Sequence, residues 1–302
     1  MSITIQTTQI AHLGGITANY AFVNGTNDPN KPTCVLITAM SMNIQLFNDQ
    51  FNDPKLTNAM NLLAIEPLGH GGTICASEHF TYWDSAQTAL QVIDKLGIEK
   101  VFALGVSQGG WIVTRMALLA PEKILGLVLL GTSLDSESPE SRDLGSWNPA
   151  QLLMPFYEGL SALKDTPDFV IDDAWCGAFA GVGGFGPNIT PETVEFWTKI
   201  FKDTYKGDEG RKKVRMALIC LLERDGLLLR VKDVTCPVHW LQGTDDYIFG
   251  TKLPADHITR FTSAKETELT IVPGGAHYLN TSSPAEVNAA LLAFVSKHHT
   301  QV

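Results

Sequence analysis

The sequence predicts an α/β fold in which a mostly parallel central sheet is flanked by helices and interrupted by a helical insertion. Three observations support this prediction. Between residues 34 and 130, short apolar runs alternate with segments of helical periodicity, as in a parallel sheet built from βαβ units. Residues 135–232 contain no convincing strand pattern. After residue 237 the alternation of strand and helix resumes.

The first part of the chain contains strands of two kinds. Residues 2–8 and 16–23 alternate apolar and polar side chains, which predicts a half-buried antiparallel hairpin at a sheet edge. The later strands are short apolar runs, as expected for strands buried on both faces. We predict buried strands at residues 34–37, 61–66, 101–104 and 124–130, and helices at residues 44–60, 83–96 and 108–120.

The insertion is predicted to be a helical cap over the core. Its glycine-rich residues 181–187 are expected to form a loop, and its helical patterns cover residues 147–163, 169–180, 191–205 and 209–224. The core is completed by strands at residues 238–242 and 268–272 and by a helix at residues 284–294. We therefore expect a core of residues 1–134 and 233–302 and a cap of residues 135–232.

Composition limits the partners and the compartment. The net charge of the 302-residue chain is −10, which argues against nucleic acid or an anionic membrane as the main partner. The five cysteines are widely spaced and form no C-x-x-C pattern, which is typical of free thiols in a reducing compartment. No secretory signal or run of membrane-spanning length is visible. We expect a cytoplasmic protein that binds a small molecule, needs no metal or cofactor, and is a candidate homodimer.

A serine motif lies where a predicted strand meets a predicted helix. Residues 105–109 (GVSQG) match the pattern G-x-S-x-G. A serine on so tight a turn has a strained backbone, and its neighbours two residues away must therefore be small. The turn would place Ser107 above the sheet edge, beside the free N–H groups of a helix start. This context predicts a nucleophilic serine.

The two partners that such a serine needs follow later strands. A serine hydroxyl requires a base to take its proton, and the base requires a carboxylate to orient it. His277 follows the last predicted strand, and Asp245 and Asp246 follow the strand before it. Because functional groups collect at the carboxyl ends of parallel strands, we expect these side chains near Ser107. The residues alone leave either aspartate as the acid.

On these motifs the sequence resembles the α/β-hydrolase superfamily over nearly all of the chain outside the insertion. Residues 66–73 (EPLGHGGT) resemble that family's D-x-P-G-H-G-x-S turn, with Glu66 in place of aspartate. Residues 231–238 (VKDVTCPV) resemble its I-x-x-P-V segment, and residues 274–277 (GGAH) resemble its histidine loop. The resemblance is to a serine esterase or lactonase with a helical lid. It implies that Asp246 is the acid and that His70 is structural.

The resemblance also implies an oxyanion hole. Its backbone donors would be the N–H of Gln108, after the nucleophile, and by position the N–H of Met40. Most relatives carry His-Gly before the second donor, whereas this chain has Thr38 and Ala39. The hole is therefore the part of the site with the weakest sequence support.

A small, mainly apolar carboxylic ester or lactone is the expected substrate. Carbon–carbon bond hydrolases, acyltransferases and iminopeptidases share the same constellation, and a receptor that retains the fold without turnover is a further alternative. The insertion is mildly enriched in aromatic residues, some of which could shape an apolar pocket. The residues that we expect to contact the substrate are Trp111, Trp147, Phe179, Phe185 and Tyr278.

Overall fold

A computed structural model describes residues 3–162 and 164–299 of the chain. The strands of the described part are β1 Gln6–Ile10, β2 Ile16–Phe22, β3 Thr33–Ile37, β4 Asn61–Ile65, β5 Ile74–Cys75, β6 Val101–Val106, β7 Ile124–Leu130, β8 Val238–Gly243 and β9 Thr267–Val272. They form one sheet in the order β1-β2-β4-β3-β6-β7-β8-β9, and β5 pairs with β2.

The helices of the described part connect and flank these strands. Those before β8 are α1 Asn48–Phe51, α2 Pro54–Ala59, α3 Tyr82–Lys95, α4 Gln108–Leu119, α5 Pro139–Asp143, α6 Pro149–Ala162, α7 Asp173–Ala180, α8 Val182–Phe185, α9 Pro191–Thr204 and α10 Gly207–Leu222. Those after β8 are α11 Lys252–His257, α12 Leu279–Ser282 and α13 Pro284–His299. Short 3₁₀ turns cover His12–Gly14, Ile44–Phe47, Val231–Asp233 and Ile258–Arg260.

The pairing of the strands confirms the predicted fold class. All neighbours from β4 through β3, β6, β7 and β8 to β9 are parallel. The predicted antiparallel hairpin is formed by β1 and β2 at one edge, with Gln6 opposite Tyr20. The strands β3, β4 and β6 are buried along their whole length, because helices cover the sheet. The carboxyl ends of the parallel strands therefore share one edge of the sheet.

The inserted segment, residues 135–232, is helical, with small differences from the sequence prediction. Residues 182–185 form the one-turn helix α8 inside the glycine-rich stretch that was expected to be a loop. The stretch at residues 44–60 consists of a 3₁₀ turn and two short helices, since Pro54 begins α2. Leu163, at the end of one predicted helix, lies outside the described residues. The division into core and cap stays a prediction.

Two buried guanidinium groups lie where the inserted segment meets the core. The Arg224 guanidinium at the end of α10 pairs with Glu137, and both side chains are almost completely buried. Arg115 on α4 is also buried, and it donates to Asp225 at 2.5 Å. The two guanidinium groups lie over aromatic rings, Arg224 over Trp111 at 4.5 Å and Arg115 over Trp83 at 4.8 Å. Removing one partner of such a pair would leave an uncompensated buried charge.

No helix in the described ranges is long and apolar enough to cross a membrane. The cytoplasmic location and the homodimer stay predictions.

The turn between β6 and α4 depends on two glycines. A Cβ at Gly105 would overlap the backbone of Gly109, and a Cβ at Gly109 would overlap the carbonyl oxygen of Ile37 at the end of β3. Because these contacts are with backbone atoms, no side-chain rotation could relieve them. The chain can therefore turn sharply at Ser107 only with glycine on both sides.

We expect Gly109→Ala to lower the free energy of unfolding by about 2–3 kcal/mol, because the added methyl group must displace β3 or α4. Gly177→Ala is the matched control, since a Cβ at Gly177 meets nothing within 4 Å in the exposed part of α7. That control should be neutral or stabilising by up to about 1 kcal/mol. Urea denaturation of both variants measures the difference, and equal stabilities would contradict the steric argument.

Candidate active site

Ser107 lies at the tip of the turn that follows β6. Its backbone has φ 54° and ψ −118°, a conformation that is strained for a residue with a side chain. The Ser107 N–H donates to Leu130 O of the neighbouring strand at 2.9 Å, and Ser107 O accepts from Thr132 Oγ1 at 2.7 Å. These bonds fix the turn on both sides of the serine. The side chain is left partly exposed at the sheet edge.

The structure brings His277 to Ser107. The imidazole Nε2 lies 3.0 Å from Ser107 Oγ, although the two residues are 170 positions apart in the chain. The Nδ1 atom lies 3.1 and 3.0 Å from the two carboxylate oxygens of Asp246. A carboxylate can only accept, so the proton of the neutral ring belongs on Nδ1, and Nε2 is free to act as a base.

Asp246, rather than Asp245, is the carboxylate at this histidine. It is 2% exposed and accepts from the N–H groups of Ile248 and Phe249, at 2.8 and 3.2 Å. Burial alone would raise the pKa of Asp246, but the attraction of His277 and these hydrogen bonds hold the pKa below its usual value. Asp245 is partly exposed and accepts from the hydroxyl of Thr244.

Gln242 is a further contact of the acid that the sequence did not reveal. Its Nε2 donates to Asp246 Oδ2 at 2.8 Å from within β8, where the side chain is completely buried. Its Oε1 has no hydrogen-bond partner among the described residues. The only signal in the sequence is a polar residue at the end of an apolar strand, four positions before the aspartate.

The two predicted oxyanion donors lie at neighbouring strand ends. Met40 follows β3, Gln108 begins α4 after β6, and these strands are adjacent in the sheet. Within the described ranges neither amide N–H donates to a protein acceptor. The predicted role requires amides that the fold itself leaves without an acceptor, and both meet this requirement.

The Gln108 side chain belongs to a buried chain of hydrogen bonds. The Tyr82 hydroxyl donates to Gln108 Oε1 at 3.2 Å, and Gln108 Nε2 donates to His70 Nε2 at 2.8 Å. His70 Nδ1 then donates to Leu68 O at 2.9 Å. This pattern requires neutral His70, and burial lowers the pKa of His70 to about 4. The resemblance treated His70 as structural, and these contacts give it a specific position behind the predicted oxyanion hole.

A cavity of about 260 Å³ opens beside Ser107 and His277. Three of the predicted substrate contacts line it, namely Trp147, Phe179 and Tyr278, and so does Met40. Among the described residues, no Asp, Glu, Lys or Arg lines this cavity. His277 does line it, and its side chain is charged only when protonated. Its other lining residues are Leu152, Leu153, Phe156, Ala178, Gly183, Gly184, Leu221 and Ile248.

Two predicted substrate contacts, Trp111 and Phe185, do not line this cavity. Trp111 is buried against Tyr82 and beneath Arg224, because it lies on the side of α4 that faces the buried ion pairs. Phe185 lines a separate cavity of about 510 Å³. Its ring contacts Tyr278 edge-on at 4.9 Å, so it packs behind a lining residue instead of lining the cavity itself.

Comparisons with known proteins agree with this fold. Residues 36–157 match a family model described as the alpha/beta hydrolase fold. Over 256 residues the chain is 26% identical to the dihydrolipoyllysine-residue acetyltransferase component of the acetoin cleaving system of Pseudomonas putida, covering 84% of this chain and 61% of that protein. The chain thus spans about three fifths of the length of this curated relative.

Solved structures extend the similarity to the whole chain. A bromoperoxidase from Bacillus anthracis has a TM-score of 0.76 at 17% identity, covering 97% of this chain and 100% of that chain. A thermophilic esterase from Thermogutta terrifontis has a TM-score of 0.72 at 16% identity, covering 97% and 99%. At such identities the likeness concerns the fold. Together with the family match over residues 36–157, it confirms the α/β-hydrolase fold of this chain.

The two adjacent aspartates should differ sharply in their effect on turnover of an ester. Asp246→Asn would favour the wrong tautomer of His277, and we expect kcat to fall by roughly 10⁴. Asp245→Asn is the matched control and should change kcat less than about twofold, because Asp245 does not contact His277. Steady-state kinetics with a chromogenic ester checks both. Equal, small losses would reject Asp246 as the acid.

His70 should make stability depend on pH. Its pKa is about 4 in the folded chain against an ordinary value of 6.5, so its contribution is complete above pH 6.5 and is lost as the pH falls towards 4. Between pH 7 and 4.5, His70 should account for about 2 kcal/mol of the stability that the wild type loses. In His70→Gln this part of the pH dependence should be missing.

Denaturation curves at pH 4.5 and 7 measure this difference. The exposed His79 provides the control His79→Gln, which should keep the wild-type pH dependence. The interpretation of His70 is wrong if His70→Gln and His79→Gln lose the same stability on acidification.

Proposed function

We propose that this protein is a serine hydrolase that cleaves a small, mainly apolar carboxylic ester or lactone through an acyl-enzyme intermediate. The observation that carries the proposal is the position of His277 between Ser107 Oγ and the Asp246 carboxylate, 3.0 Å from each. A nucleophile, a base and an orienting carboxylate in this geometry are what acyl transfer through serine requires.

In the proposed acylation step, Ser107 Oγ attacks the carbonyl carbon while His277 Nε2 takes the hydroxyl proton. The N–H groups of Met40 and Gln108 donate to the negatively charged carbonyl oxygen. The carbon–oxygen bond to the leaving group then breaks, and His277 gives its proton to the leaving alcohol. Asp246 stays ionised throughout and stabilises the imidazolium form of His277.

The proposed deacylation step repeats this proton transfer with water. A water molecule attacks the acyl carbon and passes a proton to His277 Nε2. The bond between the acyl carbon and Ser107 Oγ breaks, and the serine oxygen takes the proton back. The products are a carboxylic acid and the free enzyme.

The cavity supports an uncharged acyl group. Its lining is apolar apart from the catalytic pair and the Tyr278 hydroxyl, which donates to Phe179 O at 3.3 Å. A volume of about 260 Å³ is at the small end of ligand cavities. A substrate amine, as in an iminopeptidase, would need a carboxylate nearby. No carboxylate of the described residues lines the cavity.

Ser107→Ala should abolish turnover of short p-nitrophenyl esters, with a loss of several orders of magnitude, because the nucleophile is removed. The thermal midpoint should stay close to that of the wild type. A fluorophosphonate probe should label the wild type and leave the variant unlabelled. Full residual activity in Ser107→Ala would contradict the proposal.

Product analysis separates the proposal from its alternatives. The wild type should release acid and alcohol in water, with little transfer to an added alcohol or thiol. Preferential transfer would indicate an acyltransferase. Slow labelling by the probe, together with no burst on any ester, would indicate a receptor that retains the fold.

A further inference from the structure

The loop that carries the Met40 amide contains an unusual serine. The Met42 N–H donates to Ala39 O at 3.1 Å and closes a four-residue turn in which Ser41 is the third residue. Ser41 has φ 65°, in the left-handed region, where this turn position favours glycine. A serine in this conformation is strained. The chain therefore retains a hydroxyl at a position where glycine would be less costly.

That hydroxyl is hydrogen-bonded to the inserted segment. Trp175 Nε1 on α7 donates to Ser41 Oγ at 3.1 Å, across 134 positions of the chain, and both residues are buried. This bond fixes the orientation of the Ser41 side chain, because a hydrogen bond is directional.

Trp175 contacts the substrate cavity as well as the loop. Its ring lies 4.5 Å from the ring of Phe179 and meets the ring of Phe156 edge-on at 5.4 Å. Both of these rings line the cavity beside Ser107. One buried side chain therefore joins the wall of the acyl cavity to the residue that follows Met40.

We infer that Trp175 is a positioning residue, which directs the Met40 N–H into the oxyanion hole through its hydrogen bond to Ser41. The inference rests on the proposed function. The direction of the Met40 N–H depends on the backbone angles of this turn, and the bond from Trp175 holds the strained turn in one conformation. A donor that is displaced by a fraction of an ångström stabilises the oxyanion less, while the ground-state substrate binds as before.

Ser41→Gly is the most informative variant, because it relieves the backbone strain and removes the side chain that accepts from Trp175. A purely structural role predicts a changed thermal midpoint with unchanged kinetics. A positioning role predicts that kcat falls about tenfold while KM changes little. The affinity for phenylboronic acid, whose adduct with Ser107 places an oxygen in the hole, should fall by a similar factor. Trp175→Phe removes the N–H donor and should give the same pattern.

The double variant tests whether the two residues act together. If Trp175 acts through Ser41, Ser41→Gly combined with Trp175→Phe should lose about tenfold in kcat, not a hundredfold. Trp197→Phe is the matched control, since Trp197 is a buried tryptophan of the same segment that packs against Phe201 and Phe185. It should leave kcat unchanged.

The inference is overturned if Ser41→Gly keeps the wild-type kcat and phenylboronic acid affinity, or if the losses of the single variants multiply in the double variant. The test requires a wild-type protein that hydrolyses esters and is labelled by the fluorophosphonate probe at Ser107. A wild type that does neither overturns the proposed function, and this inference with it.

Discussion

The close approach of the β6–α4 turn to the end of β3 is the constraint on which the site depends. Gly109 lies against the Ile37 carbonyl, and Gly105 lies against the backbone of Gly109, so that neither position has room for a side chain. The chain must turn within one residue, and Ser107 takes the strained φ of 54°. The same turn exposes the serine hydroxyl, frees the Gln108 N–H and sets it beside the loop of Met40. Without this close approach, the turn that presents the Ser107 hydroxyl to His277 could not form.

The inserted segment contacts each loop that contributes to the site. The Trp147 N–H donates to Ile248 O, two residues after the acid, at 2.8 Å. The Tyr278 N–H, next to His277, donates to Gly184 O at 2.8 Å. Trp175 reaches the loop of Met40. Because these bonds involve the loops themselves, the segment that shapes the apolar cavity also restricts the geometry of the reacting groups.

Burial sets the protonation of the groups around the serine. Asp246 is held ionised by His277 and by the donors of Ile248, Phe249 and Gln242, despite its burial. His70 is kept neutral by burial, which lets its Nε2 accept from the Gln108 amide. Asp246 is charged because His277 and these donors stabilise a carboxylate, whereas His70 is neutral because its hydrogen bond to Leu68 O does not offset the cost of burying an imidazolium.

The sequence by itself determined the fold class and predicted the residues of the candidate site. Neighbouring residues control the backbone conformation of a strand or a tight turn. The strands and the turn at Ser107 could therefore be predicted from the apolar runs and from the two glycines. The chain order of serine, acid and histidine at strand ends follows from the parallel sheet. The tertiary structure decided between Asp245 and Asp246, since two adjacent side chains point in different directions and only one meets His277. It also placed Trp111 away from the cavity and revealed the bond from Trp175 to Ser41, because these contacts arise from packing between segments far apart in the chain, which no local pattern records. The bond from Gln242 to Asp246 is local, but it depends on the direction in which the two side chains point.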